Sequence, residues 1–255
     1  MPSIETVKFP SVSGATLAGV VDVPDGEVRA WAVFAHGFTL GKNSAAASRI
    51  SKALARHGIG VLRYDAAGLG SSTGDWSETT FSTKVDDIKQ AAAFMAESGR
   101  PISLLIGHSL GGAAVLGAIG SLEEVKAVVT ISAPFEPSHA LHLLDEAMDD
   151  VEREGIGEVT LGGKRLQVRK QLVDDLRRAD LSACIHGMHR PLLVMHSPTD
   201  QTVGIDNAGQ IFETAKHPKS FISLEGSNHL LTDKVQTDRA ALLIAAWADQ
   251  YLPAG

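Results

Sequence analysis

At 255 residues, with 44% hydrophobic and 21% charged residues, the chain has the size and balance of one globular domain carrying an insertion, which excludes a disordered or low-complexity chain. The formal net charge of −7, with no offsetting stripe of lysine or arginine, argues against nucleic acid as a partner. Lys164, Arg165, Arg169 and Lys170 read as a solvated basic face.

The first residues lack the basic start and apolar core of a signal peptide, and no run reaches the roughly 18 apolar residues of a membrane helix, so a cytoplasmic protein without a membrane partner is expected. The single cysteine, Cys184, has no second cysteine for a disulfide or a paired-cysteine zinc site and is expected to be a buried structural thiol. None of the ten histidines forms an H-x-x-x-H pattern with a nearby glutamate, so neither a metal nor a cofactor is expected.

In chain order, residues 7–9 and 16–23 alternate apolar and polar side chains about a Ser-Gly turn, which predicts an antiparallel hairpin. Continuous Val/Ile/Leu-rich runs follow at 30–35, 60–64, 102–106, 125–131, 192–196 and 221–224, the pattern of strands buried on both faces. Helical patterns lie between them at 45–57, 81–98, 110–120, 206–215 and 232–251. Strands alternating with helices predict an α/β fold, a mostly parallel sheet covered on both faces, with ligands at the carboxyl ends of its strands.

Residues 134–190 break the alternation, being far longer than an ordinary connection. Helix-like 140–152, an alternating hairpin at 158–169 turning on Gly162-Gly163, and helix-like 172–181 predict a structured insertion. It leaves the carboxyl end of a strand, so it reads as a cap over residues 1–133 and 191–255, the alternative being a peripheral decoration.

The chemistry centres on Gly107-His108-Ser109-Leu110-Gly111-Gly112, between the run 102–106 and the helix from 110. A G-x-S-x-G pattern at a strand-to-helix turn is a nucleophile elbow: the serine is forced to positive φ, and glycines let the two arms pass closely. Ser109 is therefore the candidate nucleophile. A serine hydroxyl needs a base, and the base needs an orienting acid. His229, in the loop after 221–224, is the candidate base, and Asp200, in the turn after 192–196, the candidate acid. His108 adjoins the serine, but its side chain is expected to leave in another direction. His196 reads as a supporting residue, Asp206 as the N-cap of its helix, and Asp233 as a residue at the start of the last helix.

An oxyanion needs N–H donors. Leu110, at the helix N-terminus, is expected to supply one, and the loop His36-Gly37-Phe38-Thr39 the other, through Phe38 or, as the alternative, Thr39. Gly37, Thr39, His108, Phe135 and Val203 are the expected substrate contacts.

On these motifs the chain resembles the α/β-hydrolase fold serine esterases, and Asp65-Ala66-Ala67-Gly68-Leu69-Gly70-Ser71-Ser72 looks like their glycine-rich turn after the next core strand. Residues 45–50, 203–207 and 207–211 further resemble the hydrolase half of bacterial fusion proteins whose other half is an OsmC-type peroxide reductase. This chain ends after its last hydrolase helix, so the peroxidase activity is not expected here. The insertion is similar in placement to the small caps of cinnamoyl and feruloyl esterases. The resemblance implies a carboxylic ester hydrolase acting on a small-molecule ester, with Ser109, Asp200 and His229 as its triad. A thioesterase or amide hydrolase would use the same residues, a cofactor-free perhydrolase is a sideline of the scaffold, and an inert binding module is the non-enzymatic alternative. Oligomeric state is left open.

Overall fold

The computed structural model describes residues 2–252; Met1 and residues 253–255, on which the readings of the two chain ends fall, lie outside the described residues. The elements run β1 (Ser3–Pro10), β2 (Thr16–Val23), β3 (Ala30–Ala35), α1 (Ala45–Arg56), β4 (Ile59–Tyr64), α2 (Phe81–Glu97), β5 (Ile102–His108), α3 (Leu110–Ala118) and β6 (Ala127–Ile131). After β6 come α4 (Asp145–Glu154), β7 (Ile156–Leu161), β8 (Lys164–Arg169), α5 (Lys170–Arg178) and the short α6 (Ser182–Gly187). The chain then returns through β9 (Leu192–His196), α7 (Asp206–Thr214), β10 (Lys219–Ser223) and α8 (Lys234–Ala248).

Eight strands form one sheet in the order β1-β2-β4-β3-β5-β6-β9-β10. β1 and β2 pair antiparallel, β2 joins β4 antiparallel, and every pairing from β4 to β10 is parallel. Side-chain alternation divides the core between the two faces: Val33 and Ala35 of β3 join one apolar cluster with α2 and α3, while Ala32 and Phe34 join the other with α1 and α8. α3 is apolar on nearly every side and is correspondingly buried, its residues Leu110 to Leu116 all inside the protein. Among the described residues no helix is long and apolar enough to cross a membrane.

The differences from the sequence reading have local causes. β1 starts at Ser3, because ladder pairing with β2 carries a stretch whose side chains are mostly exposed. β5 continues to His108, because Gly107 and His108 pair with Thr130 and Ile131 of β6. Asp206 does not cap α7: Ile205 holds the cap position, and the Asn207 and Ala208 N–H groups already bond the Gly204 and Ile205 carbonyls, so the first turn has its acceptors in the preceding backbone. Asp233 does cap α8, accepting from the Gln236 N–H at 3.0 Å. Cys184 is exposed, not buried. Leu181, Ile185 and Met188 share the inward face of α6 and its flanks at helical spacing, which turns Cys184 outward.

Candidate active site

The connection from β5 to α3 is made at one residue, and Ser109 there takes φ 54° and ψ −131°. A left-handed φ in a non-glycine residue is strained, and the surrounding packing holds it. A Cβ on Gly107 would strike the Gly111 carbonyl, and one on Gly111 would strike the Ala35 and His36 carbonyls at the end of β3. The Ser109 N–H bonds the Ile131 carbonyl at 2.9 Å, tying the elbow to β6. Its hydroxyl is thereby presented at the carboxyl edge of the sheet.

β9 and β10 end beside it. The loop after β9 carries Asp200, whose Oδ1 accepts the N–H groups of Thr202 (2.9 Å) and Val203 (3.0 Å), while Oδ2 faces His229 Nδ1 at 2.8 Å. The two loops are joined directly, Ser197 Oγ donating to the Ser227 carbonyl at 2.6 Å. Burial pushes the Asp200 carboxyl up, but hydrogen bonds from His229 and the two main-chain N–H groups outweigh it and hold it at about 2. The carboxylate is therefore ionised at neutral pH, and as a pure acceptor it requires the His229 proton on Nδ1. Nε2, with its lone pair free, lies 3.0 Å from Ser109 Oγ. The line Asp200–His229–Ser109 can accept the serine proton without rearrangement.

His196 Nε2 donates to the Val203 carbonyl at 2.8 Å and stands 3.8 Å from Asp200 Oδ2. His36 donates from Nδ1 to the Gly37 carbonyl at 2.8 Å, and burial pulls its ring down to about 3, so it is neutral. His108 donates from Nε2 to the His229 carbonyl, and burial followed by the neighbouring His229 pulls it to about 4.

Among the described residues nothing accepts the N–H of Phe38 or of Leu110, and Gly37 comes so close that a Cβ there would sit 3.2 Å from Ser109 Cβ. The Phe38 ring packs edge-on against Trp76, with centroids 5.6 Å apart. The other expected substrate contacts divide. Phe135 is half-buried, its N–H donated to Asn207 Oδ1 at 3.0 Å. Thr39 lies in a separate depression with Lys42, Asp65 and Leu69. His108 has no exposed surface, and Val203 is buried with its main-chain N–H donated to Asp200 Oδ1. Sequence reading missed Trp76, Phe81 and Lys84, which line a cleft together with Phe38 and Leu110. Nothing in the local pattern distinguishes Lys84 from a solvated helix face. Among the described residues no group of three or more His, Cys, Asp or Glu side chains is placed to hold a metal ion.

Residues 26–154 match the serine aminopeptidase S33 family. Among solved structures, the chain is similar to the esterase domain from a Rhodothermus marinus protein at 44% identity and TM-score 0.80, over 98% of this chain and 99% of that one. It is also similar in fold to Est1E from Butyrivibrio proteoclasticus with ferulic acid bound, at 18% identity and TM-score 0.84, over 96% of this chain and 98% of that one. No curated protein matches the chain in sequence.

Proposed function

The chain belongs to the serine aminopeptidase S33 family and has the α/β-hydrolase fold, and from that premise we propose that it is a serine-dependent carboxylic ester hydrolase working through an acyl-enzyme. The observation that carries the reading is the unbroken line from Asp200 Oδ2 to His229 Nδ1 (2.8 Å) and from His229 Nε2 to Ser109 Oγ (3.0 Å). In this reading Ser109 Oγ attacks the ester carbonyl as its proton passes to His229 Nε2, and the Asp200 carboxylate stabilises the imidazolium. The N–H groups of Phe38 and Leu110 receive the oxyanion. Collapse expels the alcohol, which takes the proton from His229. Water then repeats the sequence against the acyl-enzyme, releasing the acid and restoring the serine.

Ester in preference to amide is supported by the Rhodothermus marinus relative, described as an esterase domain. The family's description as aminopeptidases favours the second reading, an amide hydrolase using the same three residues. The sequence at residues 45–50 and 203–211 supports kinship with the hydrolase half of OsmC fusion proteins as part of this reading. Residues 134–190 serve in this account as a cap, since Leu172 of α5 forms part of the wall of the cleft beside Phe38 and Leu110. Fluorophosphonate labelling tests the nucleophile, and matched ester, thioester and amide substrates test the bond cleaved.

A further inference from the structure

Asp200 is held by the main chain of Thr202 and Val203, and that main chain is held in turn by two histidines. The Thr202 and Val203 N–H groups donate to Asp200 Oδ1 at 2.9 and 3.0 Å. His196 Nε2, from the buried end of β9, donates to the Val203 carbonyl at 2.8 Å. His139 Nε2 donates to the Thr202 carbonyl at 2.9 Å, and His139 belongs to the insertion at 134–190. The Thr202 carbonyl and the Val203 N–H are the two ends of one peptide group. A bond donated to that carbonyl polarises the N–H that faces Asp200 and fixes the plane in which it points.

The start of the insertion presents this ring to the acid loop. Residues Pro137–Leu144 form 3-10 turns that bury Pro137, Ala140 and Leu144 and leave His139 half-buried. The His139 N–H bonds the Glu136 carbonyl at 3.0 Å, and the His142 ring stands edge-on to the His139 ring with centroids 4.9 Å apart. A second tie lies beside the first. Asn207 Oδ1 accepts the Phe135 N–H at 3.0 Å while its Nδ2 donates to the Gly204 carbonyl at 3.0 Å. The entry to the insertion is thus bonded to the stretch 202–207 at two points, one of them on the peptide that holds the carboxylate.

Resting on the reading of Asp200 as the triad acid, we propose that His139 is a positioning residue for the reaction, setting Asp200 through the Thr202–Val203 peptide and, through Asp200, the tautomer and orientation of His229. The insertion then does more than wall the site, because its seating on the body sets the geometry of the acid loop. The two roles have different kinetic signatures. A wall residue changes the rate of one ester relative to another, whereas a positioning residue changes the rate of every ester alike.

The test uses three replacements at one position. His139→Gln places an N–H donor where Nε2 stands, the donor of His139→Asn is too short to reach Thr202, and His139→Leu has none. Fluorophosphonate titration counts competent sites, so that rates refer to folded protein alone. On p-nitrophenyl acetate and p-nitrophenyl hexanoate, His139→Asn and His139→Leu should lose about three- to ten-fold in kcat/KM, the worth of one hydrogen bond, with the ratio between the esters unchanged. His139→Gln should recover most of the loss. The downfield NMR resonance of His229 Nδ1–H reports the same coupling without substrate: it should hold its place in His139→Gln and shift or broaden in His139→Leu. Wild-type rates in His139→Leu, a loss confined to the longer ester, or a folded His139→Gln no better than His139→Leu overturns the proposal. So does a wild type whose His139 ring carries its proton on Nδ1 alone, which ring ¹⁵N shifts decide without any variant having to fold. If no ester is turned over and Ser109 does not label, the nucleophile reading fails, and the His229 resonance still decides whether His139 acts on the acid and base.

Discussion

His108 Nε2 donates to the main-chain carbonyl of His229 at 2.7 Å, so the residue immediately before Ser109 fixes the loop that carries its partner. The two rings stand 5.3 Å apart at 40°. Because the acceptor is a carbonyl, Nε2 must carry the hydrogen, and the buried Nδ1 is left without a partner among the described residues. The strained elbow and the His229 loop are thus coupled by one short bond.

The burial of His108 has a pH consequence. Burial holds His108 at about 4 and His36 at about 3 in the folded protein, both below the ordinary histidine value of about 6.5. Between these values the unfolded chain binds more protons than the folded one, so stability falls as pH drops from 6.5 toward 4. Asp200, held at about 2, has the depressed carboxylate pattern: its contribution is complete above the unfolded value near 4 and is lost as pH falls through about 2. His108→Gln keeps a donor toward the His229 carbonyl but cannot titrate. Urea unfolding at stepped pH should show a slope between pH 6 and 4 shallower in this variant by up to about 1.4 kcal/mol per pH unit. Parallel slopes would show that His108 does not titrate below its ordinary range.

Asp200→Asn should retain the fold but lose the charge that selects the Nδ1–H tautomer of His229, lowering kcat by about 10⁴. Asp206→Asn, at a helix start where no first-turn N–H depends on the side chain, should leave kcat within about two-fold. Steady-state ester kinetics on both variants check this, and the reverse order of sensitivity would move the acid away from Asp200.

Close packing at the elbow predicts a contrast between two glycines. Gly111→Ala drives a methyl group into the Ala35 and His36 carbonyls and should destabilise the protein by about 3 kcal/mol. Gly209→Ala, in α7 with open space around the added methyl, should stabilise it by about 0.5–1 kcal/mol through helix propensity. Chemical denaturation of the pair tests both signs.

The parallel strands are legible in the sequence because burial on both faces demands uninterrupted Val/Ile/Leu runs, and the β7-β8 hairpin because Gly162-Gly163 adopts positive φ at its turn. The elbow and the approach of His229 and Asp200 are legible because topology sends their loops to one sheet edge. What sequence cannot display is orientation. Cys184 faces out because neighbouring residues at helical spacing take the inward face, and His108 and Val203 are buried, the His108 ring donating to the His229 carbonyl and the Val203 N–H to the Asp200 carboxylate. Lys84 carries no signal at all, since an amphipathic helix normally turns its lysines to water and nothing local marks this half-buried one as lining a cleft with Phe38, Trp76 and Leu172.

The central claim is that Ser109 is an activated nucleophile, and intact-protein mass spectrometry after fluorophosphonate treatment tests it most directly. The wild type should gain one covalent adduct mapping to Ser109, with ester turnover lost in step. Ser109→Ala should fold, remain unlabelled, and lose activity by a factor on the order of 10⁴ to 10⁶. A wild type that stays unlabelled while folded, or a Ser109→Ala variant that hydrolyses esters at the wild-type rate, would contradict the account.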